Sequence, residues 1–408
     1  MGAPMTVSET LRPSTVGDEA GSGRLPVVQL LAFTVAGFLA IMTETLPAGL
    51  LPQIGAGLGV SEAVAGQTVT LYALGSVAAA IPVIAATRSW NRRPLFLLAI
   101  LGLLIFNTVT AVSADFRLTL GARFIAGMAA GVVWGLVAGY ARRLAPSHLQ
   151  GRALAIVGVG QPIALSLGVP LGAWLGSLSD WRSVFWILSA VALFLLAWVR
   201  LGVPDFPGQA RDRRVPVRDV VTIPGIRTVL LVLFAWILAH NSLYTYVAPF
   251  LGTTSTDLRV DLILLVFGGA SVVGIWATGV LVDRHLRALT LLSLAAFSAA
   301  ALLLALSHGS PVLVLVGVVI WGLTFGGAPT LLQTALADSA GEQADVAQSI
   351  FVTVFNLAVA GGGVAGGLVV NWAGADRLPW TLLPLTVLAL ATTWRATSHG
   401  FRVGGRGA

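Results

Sequence analysis

Glu44 stands deeper in an apolar segment than any other acid of the chain. The rest of the 17 acidic residues fall in tails, loops or segment ends. An ionised carboxylate in hydrocarbon costs at least about 2.5–3.5 kcal/mol, so it persists by facing a polar cavity, by pairing or by taking a proton. Glu44 lies about 17 residues into its segment, or about 25 Å along a helix axis. The alternative is a helix-end carboxylate reaching out to the surface. Arg123 is its natural partner, about five residues or roughly 8 Å from the same face of a later segment. Burial disfavours a charged carboxylate and a nearby guanidinium favours it. Competition between the two is what a proton-binding site needs; a buried pair with a structural role is the other reading.

A second polar group is formed by His240, Asn241, Tyr244 and Thr245. Spacings of three and four place them on one helix face, directed at a cavity or at a neighbouring helix. Gln161 and Asn356 each lie about ten residues into equivalent segments of the two halves, which fits binding at a repeat interface. A lone His is not a metal site, and with no cysteine there is no thiol chemistry or disulfide framework. All 24 basic residues are arginine. A Walker A loop needs Lys, so the chain contains no P-loop ATPase. Its 47 glycines, with runs such as Gly361-Gly362-Gly363, suit close helix packing better than a phosphate loop. No catalytic constellation emerges, and no cofactor, metal or enzymatic activity is expected.

The elements that carry these residues are membrane spans. The sequence is 56% hydrophobic and 10% charged, with a mean hydropathy of +0.89. A soluble domain carries roughly 25% charged residues. Apolar runs of about 20 residues, enough to cross about 30 Å of hydrocarbon, recur near 27–52, 66–87, 94–112, 118–141, 151–175 and 183–202. A second set follows near 226–250, 260–282, 288–306, 312–336, 346–370 and 379–397. Residues 1–26 read as a disordered tail with no cleavable signal, and 398–408 as a second tail. Residues 203–225, rich in Arg and Pro, read as a linker between six-helix bundles at 27–202 and 226–397.

Arginine placement sets the orientation. With both termini inside, the inner segments hold Arg12, Arg24, Arg88, Arg92, Arg93, Arg142, Arg143, Arg152, Arg200, Arg211, Arg213, Arg214, Arg218, Arg227, Arg284, Arg287, Arg395, Arg402 and Arg406. The outer ones hold Arg117, Arg182, Arg259 and Arg377. Positive-inside asymmetry of this kind supports cytoplasmic termini and an even number of spans. The net charge of +7 is therefore a topology signal, and no nucleic-acid partner is expected.

Several segments resemble the major facilitator superfamily, and within it the drug:proton antiporter branch with its arabinose-efflux-permease-like members. Thr43-Glu44 with Pro47-Ala48-Gly49-Leu50-Leu51-Pro52 resembles the opening helix of that branch. Arg123 with Gly127, Gly131 and Gly135 resembles the arginine-bearing motif of span four. Gly168-Val169-Pro170-Leu171-Gly172 resembles the span-five antiporter motif, followed by Trp181-Arg182-Ser183-Val184-Phe185-Trp186. Gly279, Asp283, Arg284 and Arg287 resemble the loop motif of the second half. The first-half counterpart departs from the family pattern. Thr87-Arg88-Ser89-Trp90-Asn91-Arg92-Arg93 lacks the Asp-Arg pair, and Thr87 stands where a carboxylate is expected.

The resemblance implies an all-α membrane protein of 12 transmembrane helices in two six-helix pseudo-symmetric bundles. It implies a monomer in the bacterial cytoplasmic membrane, exchanging protons for a small organic solute such as a drug, sugar or nucleoside. Composition alone fits a proton symporter or facilitator equally well. A non-transporting receptor or scaffold would more often add a folded soluble domain. A membrane-embedded enzyme would need more acids or histidines within the spans.

Overall fold

Prolines, caps and hydropathy determine where the helices begin and end. The computed structural model describes residues 25–80, 82–87, 89–146, 149–208 and 217–401. Residues 1–24 of the expected tail at 1–26, together with Arg88, Arg211, Arg213, Arg214, Arg402 and Arg406, lie outside the described residues. So does the side chain of Asp283.

Each of the twelve expected spans has a helical counterpart. These are α1 (Val27–Thr45), α2 (Gln67–Ala80, resuming at Pro82–Ala86), α3 (Arg92–Val112) and α4 (Phe116–Leu144). They continue with α5 (Arg152–Leu178), α6 (Trp181–Gly202), α7 (Ile226–Thr245), α8 (Val260–Val282) and α9 (Arg284–Ala305). The series closes with α10 (Pro311–Ala340), α11 (Ala344–Trp372) and α12 (Leu378–Arg395). Ten are long and apolar enough to cross a membrane. The other two are α2, described in two pieces, and α12, diluted by prolines and threonines. Among the described residues there is no strand.

Acids at helix starts act as caps. Asp115 accepts from the Leu118 N–H at 2.7 Å ahead of α4, and Asp180 from the Arg182 N–H at 3.1 Å ahead of α6. Both satisfy donors that a first turn leaves unpaired. Exposed Leu201, Trp276, Trp372 and Trp394 are what a lipid-facing surface requires.

Within each half the helices close on glycine. Carbonyl groups of α2 fill the space a side chain would need: Tyr72 over Gly127 and Ser76 over Gly131. In the second half Phe267 of α8 covers Gly322 and Ser271 covers Gly326. All four residues are displaced along the chain by the same number, so one packing is used twice. Small residues let membrane helices approach to backbone contact. Gly127→Val is accordingly expected to force α2 and α4 apart, lowering folded yield and melting temperature in detergent well below wild type.

The twelve helices have two ends. The near end holds the start of α1 and the end of α12; the far end holds residues 46–66 and 246–259. At the near end the segment after α6 folds back under the first half. Asp205 accepts from Asn91 Nδ2 at 2.9 Å and from the Arg93 N–H at 3.0 Å. Tyr140 Oη donates to Pro204 O at 2.6 Å, and Arg143 Nη1 to Pro207 O at 2.7 Å. The loop at 87–93, which has no acid of its own, thus receives a carboxylate from residues 203–225 at the start of α3.

Candidate functional site

Pro47 breaks the first span. It has no N–H to continue the helix, and α1 ends at Thr45 before a single turn of 3-10 helix over Leu46–Gly49. Leu50 then leaves helical geometry (φ −127°, ψ 14°) ahead of a short helix, Leu51–Leu58. Glu44 therefore sits in the last turn of a regular helix inside the bundle, 7% exposed.

Arg123 is fully buried beside it. Its Nε donates to Thr68 O of α2 at 3.2 Å, and its Nη2 to the backbone carbonyl of Glu44 at 3.5 Å. The guanidinium lies 4.7 Å from the centre of the Tyr72 ring and 5.9 Å from that of Phe185, in cation–π geometry. Tyr72 Oη in turn donates to Ala40 O of α1 at 2.8 Å. Among the described residues no ion pair within 4 Å joins the Glu44 carboxylate to Arg123. The arginine grips the backbone of the helix break by the Glu44 carbonyl rather than pairing directly with the carboxylate. Nη1 of Arg123 has no hydrogen-bond partner among the described residues.

Asn107 of α3 extends this cluster and was not singled out from sequence. It donates to Thr43 Oγ1 at 3.0 Å, and its Oδ1 is buried without a partner among the described residues. Its signal was legible, as a lone amide within an apolar span.

The second group lies in α7. His240 accepts from Trp321 Nε1 at its Nδ1, 3.0 Å away, which puts the imidazole proton on Nε2. The ring stacks on Phe325 at 3.3 Å and lies 5.2 Å from Tyr244 and 5.7 Å from Phe267. Tyr244 Oη and Thr245 Oγ1 are buried without partners among the described residues. Asn241 turns back on its own helix, donating to Ile237 O at 3.1 Å. Asn356 does the same toward Val352 O at 2.9 Å, and Gln161 is half-buried. The structure thus brings Glu44 to Arg123, and His240 to Tyr244, while no described hydrogen bond joins Gln161 or Asn356 to either group.

The span-five motif contacts α1. A π-type turn at Ala164–Gly168 precedes Pro170. Beyond it Gly168 faces Met42 and Phe38, Gly172 faces Leu46, and Gly176 faces Leu50. On its other side Ser166 packs against Gly268 of α8. The motif therefore joins the helix of Glu44 to the second half. In the loop motif of that half, Gly279 and Arg284 are exposed. Arg287 instead donates to the carbonyl oxygens of Thr393, Trp394, Ala396 and Phe401 at 2.7–2.8 Å. The first three are carbonyls at the end of α12, a favoured place for a cation, and Phe401 belongs to the segment that follows it.

The family model described as Major Facilitator Superfamily matches residues 33–363 and 251–404. The chain belongs to this superfamily. Among curated superfamily relatives, a purine ribonucleoside efflux pump, NepI of Escherichia coli O157:H7, is 31% identical over 371 residues. That match covers 88% of this chain and 91% of the pump. The transcription regulatory protein OpdE of Pseudomonas aeruginosa is 32% identical over 355 residues, covering 85% and 87%. The superfamily fold is seen in a D-xylose–proton symporter, with TM-score 0.78 at 15% identity over 94% of this chain and 100% of that one. It is seen again in the human organic anion transporter MFSD10, with TM-score 0.67 at 19% identity over 91% and 100%. The protein is a multi-pass membrane transporter with efflux pumps among its relatives.

Proposed function

We propose that this transporter exports a small organic solute of the nucleoside, sugar or drug type in exchange for protons, with Glu44 as the proton-carrying group. The observation that carries the reading is Glu44 itself, a buried carboxylate at a helix break. Arg123 holds that break by its backbone, which leaves the carboxylate able to change charge. A protonated Glu44 is neutral and cheap to keep in a closed, dry state. An ionised one calls for a hydrated cavity or a pairing contact, so the two forms favour different conformations. Resemblance to the nucleoside pump supports export and places purine ribonucleosides first among solutes to test. The span-five motif supports export on the same grounds. His240, Asn241, Tyr244, Gln161 and Asn356 are proposed to line the solute path. Two bundles, 27–202 and 226–397, are proposed to rock about the site while Gly168, Pro170 and Gly172 keep α5 on α1.

The purified protein in proteoliposomes, challenged with purine ribonucleosides, pentoses and cationic drugs, tests the solute class. A proton flux evoked by one class and not by the others is expected; a flux that no class evokes would overturn the reading.

The near end is proposed to be cytoplasmic. Single cysteines are easily placed in this cysteine-free chain. A cysteine at Gly208 should resist an impermeant maleimide applied to intact cells, whereas one at Asp257 should react. The reverse pattern would invert the topology.

A further inference from the structure

We infer that Tyr246 is a gating residue of transport, a bolt that crosses from the second half to the first and holds the far end shut. The sequence places it among the aromatic residues ending the seventh span, and nothing in the proton or solute site uses it. Its position is set by a second helix break, matching that of α1. After Thr245, Tyr246 leaves helical geometry (φ −110°, ψ 28°) and a short helix, Val247–Thr253, follows.

The break turns the phenol across the interface between the halves. Tyr246 is fully buried. Its Oη donates to Gly363 O of α11 at 2.8 Å, with Ala63 O of the first half at 3.2 Å sharing the proton. It accepts from Gln67 Nε2 of α2 at 3.3 Å. Gln67 Nε2 also reaches Gly363 O at 3.4 Å and Ala63 O at 3.4 Å. One phenol and one amide thus tie the start of α2 to α7 and α11.

The socket is made of glycine. A side chain on Gly66 or Gly366 would collide with the Tyr246 ring, and one on Gly367 with its hydroxyl. Only residues without Cβ leave room for it, two of them on α11 and one beside α2. The first half shows what the same place holds when no bolt is present. There Leu46 sits beside Gly172 of α5 at its own helix break, as Tyr246 sits beside Gly366 and Gly367 of α11. Leu46 is apolar; Tyr246 carries a hydroxyl that continues into the opposite half.

Around the bolt the halves also meet where Gly49 abuts Leu264 and Ser166 abuts Gly268. The apolar part of that contact can close and open by rigid-body movement. The phenol must give up its hydrogen bonds each time the far end opens, so it sets the ratio of closed to open forms. Each such bond is worth a factor of roughly 2–12 in an equilibrium constant.

Pulsed electron paramagnetic resonance tests this in the purified protein, independently of which face is cytoplasmic and of what is transported. Spin labels go on cysteines at Leu178 and Val312, exposed far-end positions of the two halves. Tyr246→Phe keeps the ring in its socket and removes the hydroxyl; Gln67→Leu removes the other partner. In each variant the longer-distance population is expected to rise about 2- to 12-fold over wild type. Distance distributions that match wild type in both variants would overturn the assignment. So would a fall in melting temperature without any change in distance, since that is the mark of a structural role.

Discussion

Glu44→Gln is expected to cut proton-driven solute movement about a hundredfold while the protein still inserts, folds and binds solute. Glutamine keeps the size and hydrogen-bonding capacity of the protonated acid but cannot ionise. The charge difference it removes is worth about 2.5–3.5 kcal/mol at this depth, roughly a hundredfold in an equilibrium constant. Solute-evoked proton flux should therefore fall about a hundredfold in reconstituted vesicles. Downhill solute exchange, which needs no change of charge, should survive. Wild-type proton flux in Glu44→Gln would remove the carboxylate from the mechanism. His240 would then be the next group to examine, as the titratable side chain of the second cluster.

Arg123→Lys is the other substitution with a large expected effect, though it keeps the charge. The guanidinium spans two helices with donors in a fixed fork, reaching Thr68 O and Glu44 O while lying over Tyr72. An ammonium is a compact point charge that cannot reproduce that fork or the stacking. At least one buried carbonyl would be left unpaired, at a cost of about 1–3 kcal/mol. Transport should drop roughly tenfold and the melting temperature should fall. Arg123→Ala should lose more on both counts, since it also leaves a cavity among fully buried side chains. A lysine variant equal to wild type in both assays would reduce Arg123 to a counter-charge.

Hydropathy made the spans legible, because lipid forces every spanning segment to be long, apolar and helical. Glu44 was legible for the same reason, being a charge where charge is costly. Its contact with Arg123 was anticipated as a carboxylate–guanidinium pair, yet the arginine holds the backbone carbonyl instead. Sequence depth places two residues at one level but does not say which atoms meet. Asp205 binds Asn91 and the Arg93 N–H of the loop at 87–93, and residues that far apart in sequence share no periodicity that would reveal the contact. Arg287 fits a loop motif by spacing, whereas its four carbonyl partners lie at the end of α12 and in the segment just after it. Tyr246 and Gly363 illustrate the same limit. Gly363 belongs to a run that reads as packing, Tyr246 is one aromatic at a span end, and the hydrogen bond between them exists only once α7 and α11 are side by side with α2.

The most direct test of the account is the direction of coupling in proteoliposomes. A pH gradient is imposed across vesicles holding the wild-type protein, with purine ribonucleoside present at equal concentration on both sides. Antiport requires the nucleoside to accumulate on the side from which protons depart, and to do so only while Glu44 is present. Accumulation on the side that receives protons, or none under any gradient, would contradict it.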